Sequence, residues 1–251
     1  MVNILQAIFL GIVQGITEWL PISSSGHLAI FSHLLKLEEN VSFDIVLHIA
    51  SLIVVMIVFR KEILWMIEGL LKKDKERIKF FAYLCNATIP IGLIGVLFND
   101  LVKESFSNLK LIGAFYLVTA VILFLSRYPN KKTKTITLKN SLVIGIMQGL
   151  AILPGVSRSG TTISAGLMQG VKKEEAARFS FLLFIPAILG ASVLEAKNIL
   201  AVDFAPALVG GIAAIITGLI TLKVLLGIIK KGNFHYFSIY CLGLGIILLF
   251  I

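Results

Sequence analysis

Apolar positions fill long runs of this chain, and the runs are long enough to read as membrane spans. A spanning helix takes roughly 20 mostly apolar residues. Six segments meet that length: 43–59, 80–98, 109–126, 177–196, 205–229 and 234–251. Two further apolar runs, 2–20 and 141–153, behave differently. The first breaks into the polar loop 21–27, Pro-Ile-Ser-Ser-Ser-Gly-His, and the second into 154–162, Pro-Gly-Val-Ser-Arg-Ser-Gly-Thr-Thr. Each then resumes for only a short arm. Polar, glycine-containing backbone at membrane depth is tolerated only where protein or a wet cavity surrounds it. The pattern therefore predicts two re-entrant helix–loop–helix hairpins beside six spans, an all-α polytopic membrane protein.

Composition agrees. Of 251 residues, 57% are hydrophobic and 15% charged, against roughly 45–50% and about 25% in soluble domains. The first charged residue is Glu18, so a basic signal-peptide start is not expected. Cys85 and Cys241 lie inside apolar runs and read as small packing groups rather than a disulfide. The formal charge of +9 sits in short loops between apolar segments. It reads as a topology signal and as contact with anionic membrane lipids, not as a nucleic-acid surface.

Charge and spacing together predict the topology. With 60–79 cytoplasmic, alternation places 127–139, 172–178 and 230–233 on the same side, and these four regions hold 17 of the 23 Lys and Arg. The opposite side holds four: Lys36, Lys103, Lys110 and Lys197. Both termini are then extracytoplasmic. An internal repeat runs through the chain. Gly11-Ile-Val-Gln14-Gly15 matches Gly145-Ile-Met-Gln148-Gly149 at an offset of 134, and the same offset pairs Ser23, Ser25 and Gly26 with Ser157, Ser159 and Gly160. Repeat one covers 1–126, a basic linker 127–140, and repeat two 141–251, all within a single membrane domain. One hairpin plus three spans per half makes the halves inverted, and inverted repeats place their sites near the midplane where they meet.

Ionisable groups in those loops are functional candidates, because charge inside a membrane is costly. Gln14 and Glu18 share a helix face; Ser23, Ser24, Ser25 and His27 follow the turn at Pro21. Glu18 beside His27 and a serine run suggests proton transfer, against the plainer reading of an interfacial carboxylate near Trp19. Arg158 keeps its charge and needs an anion, and its planar fork suits a phosphate; the plainer reading is an ion pair with Glu18. Ser157, Ser159 and Thr162 add hydroxyls around it. The helix N-termini expected after each loop aim their free N–H groups at the same place. Asp44 and His48, one turn apart, read equally as supports of this centre or as a span end.

The two motifs, Gln14-Gly-Ile-Thr-Glu18-Trp-Leu-Pro-Ile-Ser-Ser-Ser-Gly-His27 and Pro154-Gly-Val-Ser-Arg-Ser-Gly-Thr-Thr162, resemble the signatures of the undecaprenyl-diphosphate phosphatases, the bacitracin-resistance family. The resemblance extends over the whole chain in length and motif order. It implies hydrolysis of undecaprenyl diphosphate, a C55 lipid carrier, to the monophosphate plus inorganic phosphate. That recycles the carrier for cell-wall (peptidoglycan) synthesis in the bacterial plasma membrane, from a site open to the extracytoplasmic side. Carried over by motif position, Glu18, Ser24, His27 and Arg158 are the catalytic candidates, with Gln14, Ser23, Ser25, Ser157, Ser159 and Thr162 around the substrate. The first acidic position of the family motif, Glu or Gln, is Gln14 here, so no mechanism can rest on two carboxylates in that helix. Glu18 is the best candidate ligand should a divalent cation such as Mg²⁺ or Ca²⁺ take part. A homodimer is compatible with the chain. The alternative reading is a flippase for the phosphorylated lipid carrier, since inverted repeats around a midplane site are a transporter plan.

Overall fold

The structure is a computed structural model of the chain that describes residues 2–37, 41–128 and 135–251. Part of the linker expected at 127–140, residues 129–134, lies outside the described residues. The described residues form helices and no strands. In chain order these are α1 (Ile4–Thr17), α2 (Ser24–Leu34), α3 (Val41–Val58), α4 (Arg60–Leu71), α5 (Lys75–Leu97), α6 (Asn99–Phe106) and α7 (Leu109–Leu125). Then follow α8 (Leu138–Leu150), α9 (Arg158–Met168), α10 (Lys173–Leu194), α11 (Ala196–Ile199), α12 (Phe204–Lys231), a 3₁₀ turn (Phe234–Tyr236) and α13 (Phe237–Leu249).

Many large apolar side chains face outward, while polar ones lie within a packed apolar core. Leu5 and Ile220 are 79% and 62% exposed, whereas Gln14, Thr162 and Ser180 are fully buried. So many exposed apolar side chains need lipid as solvent. Among the described residues, three helices (α5, α10 and α12) are long and apolar enough to cross a membrane. A fourth candidate is α3 joined to α4 across a 77° bend. The chain is a multi-pass membrane protein. Two of the six expected spans, 109–126 and 234–251, form shorter apolar helices; 17 residues of α helix extend roughly 26 Å, just under a bilayer core of about 30 Å. The stretch 60–79, expected as a loop, is helical for most of its length, and α6 occupies most of 99–108. Both new helices mix charged and apolar residues, so no uniform apolar run announces them.

Local folding is duplicated at the repeat offset. Asn3 caps α1 in a capping box with Gln6, and Thr137 caps α8 in the same way with Asn140. Ser23 and Ser157 cap α2 and α9, accepting from the N–H of Gly26 and Gly160. Packing crosses between the halves. Helix α1 lies along α12, and α8 along α5, while α3 meets α10 and α7 meets α13. Glycines make the first two contacts close: a Cβ on Gly15 would overlap Thr217 and the Ala214 carbonyl of α12. On Gly145 it would come within 2.7 Å of the Ala87 carbonyl of α5. Helices α1 and α8 are thus each docked on a long helix distant in sequence, and the loops that follow them meet.

Candidate functional site

Glu18 closes the C-terminus of α1, its N–H donating to the Gln14 carbonyl at 2.9 Å. Pro21 cannot continue the helix, and the chain turns into α2 through Ser23, held at φ +62°. That left-handed conformation is strained for a serine, and bonds from both halves hold it. The Gly155 N–H donates to Ser23 Oγ at 3.0 Å. The Tyr116 hydroxyl of α7 donates to the Ser23 carbonyl at 3.2 Å, and His27 Nδ1 lies 2.7 Å from the same oxygen. The second loop is fixed by Thr119, which accepts from the Ser157 N–H at 3.1 Å and donates to the Gly155 carbonyl at 2.8 Å. Ser159 ties the loops together by donating to the Trp19 carbonyl at 3.2 Å.

Glu18 is the hub. Its Oε2 accepts from the Ser24 hydroxyl at 2.5 Å and from Gln14 Nε2 at 3.2 Å. Its Oε1 accepts from Arg158 Nη2 at 2.8 Å. Arg158 is fixed on two further sides, donating from Nη1 to the Ser180 carbonyl at 3.1 Å and stacking over the Phe184 ring at 4.4 Å. Thr162 sits behind it, 2.6 Å from the Ser180 hydroxyl. His48 of α3 completes the ring around the carboxylate, with Nε2 3.3 Å from Oε2.

Glu18, Ser24, Arg158 and His48 open onto a cavity of about 670 Å³ together with Ser23, Ser25 and Ser157. Its remaining wall is almost wholly apolar, contributed largely by α5 and α10. The structure thus gathers seven polar groups at one end of an apolar space. It does not bring the other sequence candidates to that space. Gln14 is fully buried behind Glu18, also donating to the Ser51 hydroxyl at 3.2 Å. Ser159 and Thr162 are consumed in holding the two loops and Arg158. His27, expected to share proton transfer with Glu18, instead has both ring nitrogens engaged. Nδ1 meets the Ser23 carbonyl and Tyr116, and Nε2 lies 2.6 Å from the Tyr240 hydroxyl of α13. The imidazole beside Glu18 is His48, which no local spacing links to the motif; only its own turn with Asp44 marked it.

A divalent cation fits this donor set poorly. Among the described residues no three His, Cys, Asp or Glu side chains gather. Both Glu18 oxygens already face hydrogen-bond donors, Arg158 on one and Ser24 and His48 on the other, whereas Mg²⁺ or Ca²⁺ requires several oxygen ligands.

A carboxylate accepting from a serine hydroxyl can take its proton, and an immobilised guanidinium can hold the anion that the chemistry acts on. Joined to an apolar cavity among membrane helices, that chemistry defines the class: a membrane-embedded hydrolase. The model of the family "Bacitracin resistance protein BacA" matches residues 7–247, and the chain belongs to that family. It is 40% identical to a protein of Methanosphaera stadtmanae over 98% of this chain and 97% of the relative. It is 44% identical to proteins of Methanobrevibacter smithii (98% and 96%) and Thermosipho melanesiensis (95% and 96%). All three relatives bear the name undecaprenyl-diphosphatase.

Proposed function

We propose that this chain hydrolyses undecaprenyl diphosphate to undecaprenyl phosphate and inorganic phosphate, with Glu18, Ser24 and Arg158 at the reacting end of the cavity. The observation that carries the reading is the 2.5 Å contact between Ser24 and Glu18 beside Arg158, at the polar end of an apolar cavity. A prenyl tail stays against apolar wall and lipid while the diphosphate reaches the loops. Arg158 binds the transferred phosphoryl group bidentately, and the N-termini of α2 and α9 add N–H groups and positive dipole ends. Glu18 takes the proton from Ser24 as its Oγ attacks the terminal phosphorus, and undecaprenyl phosphate leaves with the bridging oxygen. Water then cleaves the phosphoserine to inorganic phosphate and returns the proton to Ser24. Alternatively, Glu18 takes the proton from a water that Ser24 orients, and that water displaces undecaprenyl phosphate directly. His27 holds the Ser23 turn rather than exchanging protons with substrate. Positioning and charge stabilisation carry most of the barrier reduction, as in phosphoryl transfer generally.

The crossed docking of α1 on α12 and α8 on α5 supports an inverted repeat of one hairpin and three spans, 1–126 and 141–251. With the 17-to-4 charge asymmetry it supports a plasma-membrane protein whose site opens away from the cytoplasm and returns the lipid carrier to cell-wall synthesis. Removal of the diphosphate form by this reaction is the proposed basis of the bacitracin resistance in the family's name. A flippase needs no hydroxyl–carboxylate pair, and the Ser24–Glu18 contact favours the enzyme. The test is phosphate release from undecaprenyl diphosphate by the purified protein in detergent, where no second compartment exists. Substrate binding without phosphate release under those conditions would refute the hydrolase and leave the transporter.

A further inference from the structure

His48 stands on α3, 30 residues from Glu18 in sequence, yet its Nε2 lies 3.3 Å from Glu18 Oε2 and its Nδ1 2.7 Å from the Asp44 carbonyl. A backbone carbonyl only accepts. Glu18 is accepting from Ser24 and Arg158, so its oxygens accept as well. A ring nitrogen without a proton would turn its lone pair on one of those oxygens, so both nitrogens of His48 carry protons. His27 provides the contrast: its Nε2 faces the hydroxyl of Tyr240, which can donate, so a neutral ring satisfies both of its contacts. A neutral ring is thus compatible with the partners of His27 but not with those of His48.

The imidazolium is placed to be used. His48 lines the cavity beside Ser24 and Arg158. Asp44, one turn earlier, is the other acidic group acting on it, and Arg158 stands across the same carboxylate. Its contact with Glu18 is longer than the roughly 2.7–2.9 Å of a charge-assisted hydrogen bond at full strength. The contact holds the ring near the carboxylate without committing its proton fully to it. An incoming head group therefore meets two cations, one on each side of Glu18, each able to exchange that carboxylate for a phosphate oxygen.

We propose that His48 is a second cationic binding residue of the diphosphate site, acting with Arg158 to grip the head group from the opposite side of Glu18. The inference rests on the hydrolase reading for the identity of the substrate but not for its own test. The probe is methylenediphosphonate, a diphosphate analogue that cannot be hydrolysed, titrated into the purified full-length protein in detergent. His48→Gln keeps a donor toward Glu18 and removes the charge. Loss of one charge-assisted contact weakens binding roughly 10–100-fold, and in turnover assays KM rises by more than kcat falls. Affinity equal to wild type in a folded His48→Gln protein would overturn the proposal. A second measurement uses the unmutated protein. With ¹⁵N-labelled histidine at neutral pH, one of the four imidazoles should show both nitrogens protonated and shift on adding the diphosphonate. Four neutral rings, or an imidazolium indifferent to the probe, would also overturn it. Wild-type protein that binds the probe but releases no phosphate from the lipid would instead refute the hydrolase reading, with the His48 comparison unaffected.

Discussion

Arg158→Lys keeps the charge at the centre of the site and removes the geometry, so it separates a substrate-gripping arginine from a structural counter-ion. In the structure the guanidinium is held on three sides: Glu18 Oε1 at 2.8 Å, the Ser180 carbonyl at 3.1 Å and the Phe184 ring at 4.4 Å. Its side chain retains only 12% exposure. A lysine ammonium is a point charge that can satisfy Glu18 or reach toward the cavity, but it cannot span Glu18 and Ser180 while presenting a flat fork to phosphate. Loss of one preorganised transition-state donor costs on the order of 10²–10³ in turnover, equivalent to about 2.7–4 kcal/mol of barrier. Because the ion pair with Glu18 can still form, folding should change little. Phosphate release from undecaprenyl diphosphate, measured as kcat and KM alongside a thermal melt, provides the readout. Near-normal turnover with an unchanged melt would show that Arg158 serves Glu18 alone and that the phosphoryl group is held elsewhere.

Glu18→Gln retains the acceptor toward Ser24 and loses the base, so lipid binding should persist while kcat falls at least roughly 10²-fold; Ser24→Ala combined with it should add little, and additive losses would split the pair. His27→Gln should lower the melting temperature and turnover together, because its contacts hold the Ser23 turn, and turnover lost from a protein of unchanged stability would return His27 to the chemistry. Gly15→Ala puts a methyl group into Thr217 and the Ala214 carbonyl and should destabilise by about 1–3 kcal/mol. Gly227→Ala, with nothing within 4 Å, should be neutral or slightly stabilising in thermal melts. Single cysteines replacing Asn3 and Asn108 should react with an impermeant thiol reagent in intact cells, whereas labelling only after rupture would invert the topology.

What the sequence could disclose depended on how local each cause was. The helix breaks after α1 and α8 were legible because their signals lie within a few residues: a proline, a capping serine, then a glycine three residues on at Gly26 and again at Gly160. The matching caps of α1 and α8, and of α2 and α9, were legible because the same local instructions recur. Helices α4 and α6 were not, since their mixed composition reads as loop when only apolar runs are counted. The ring around Glu18 was half legible. Ser24 and Arg158 sit in motifs, but His48 reaches Glu18 only because α3 packs near the end of α1. No spacing rule encodes that meeting.

The two histidines sharpen the same point. His27 lies three residues from Ser24, and proximity in sequence suggested a shared reaction; yet α7 and α13 deliver Tyr116 and Tyr240 to its ring and occupy both nitrogens. Those tyrosines stand on α7 and α13, which pack against each other, and neither lines the cavity. His48 has the weaker sequence claim and the stronger position, because a carboxylate and a carbonyl leave its ring no neutral arrangement that satisfies both. Residue type and motif marked where ionisable groups collect in this membrane domain. Which of them faces the cavity, and in what charge state, is decided by what surrounds each ring: a carbonyl and hydroxyls at His27, a carbonyl and a carboxylate at His48.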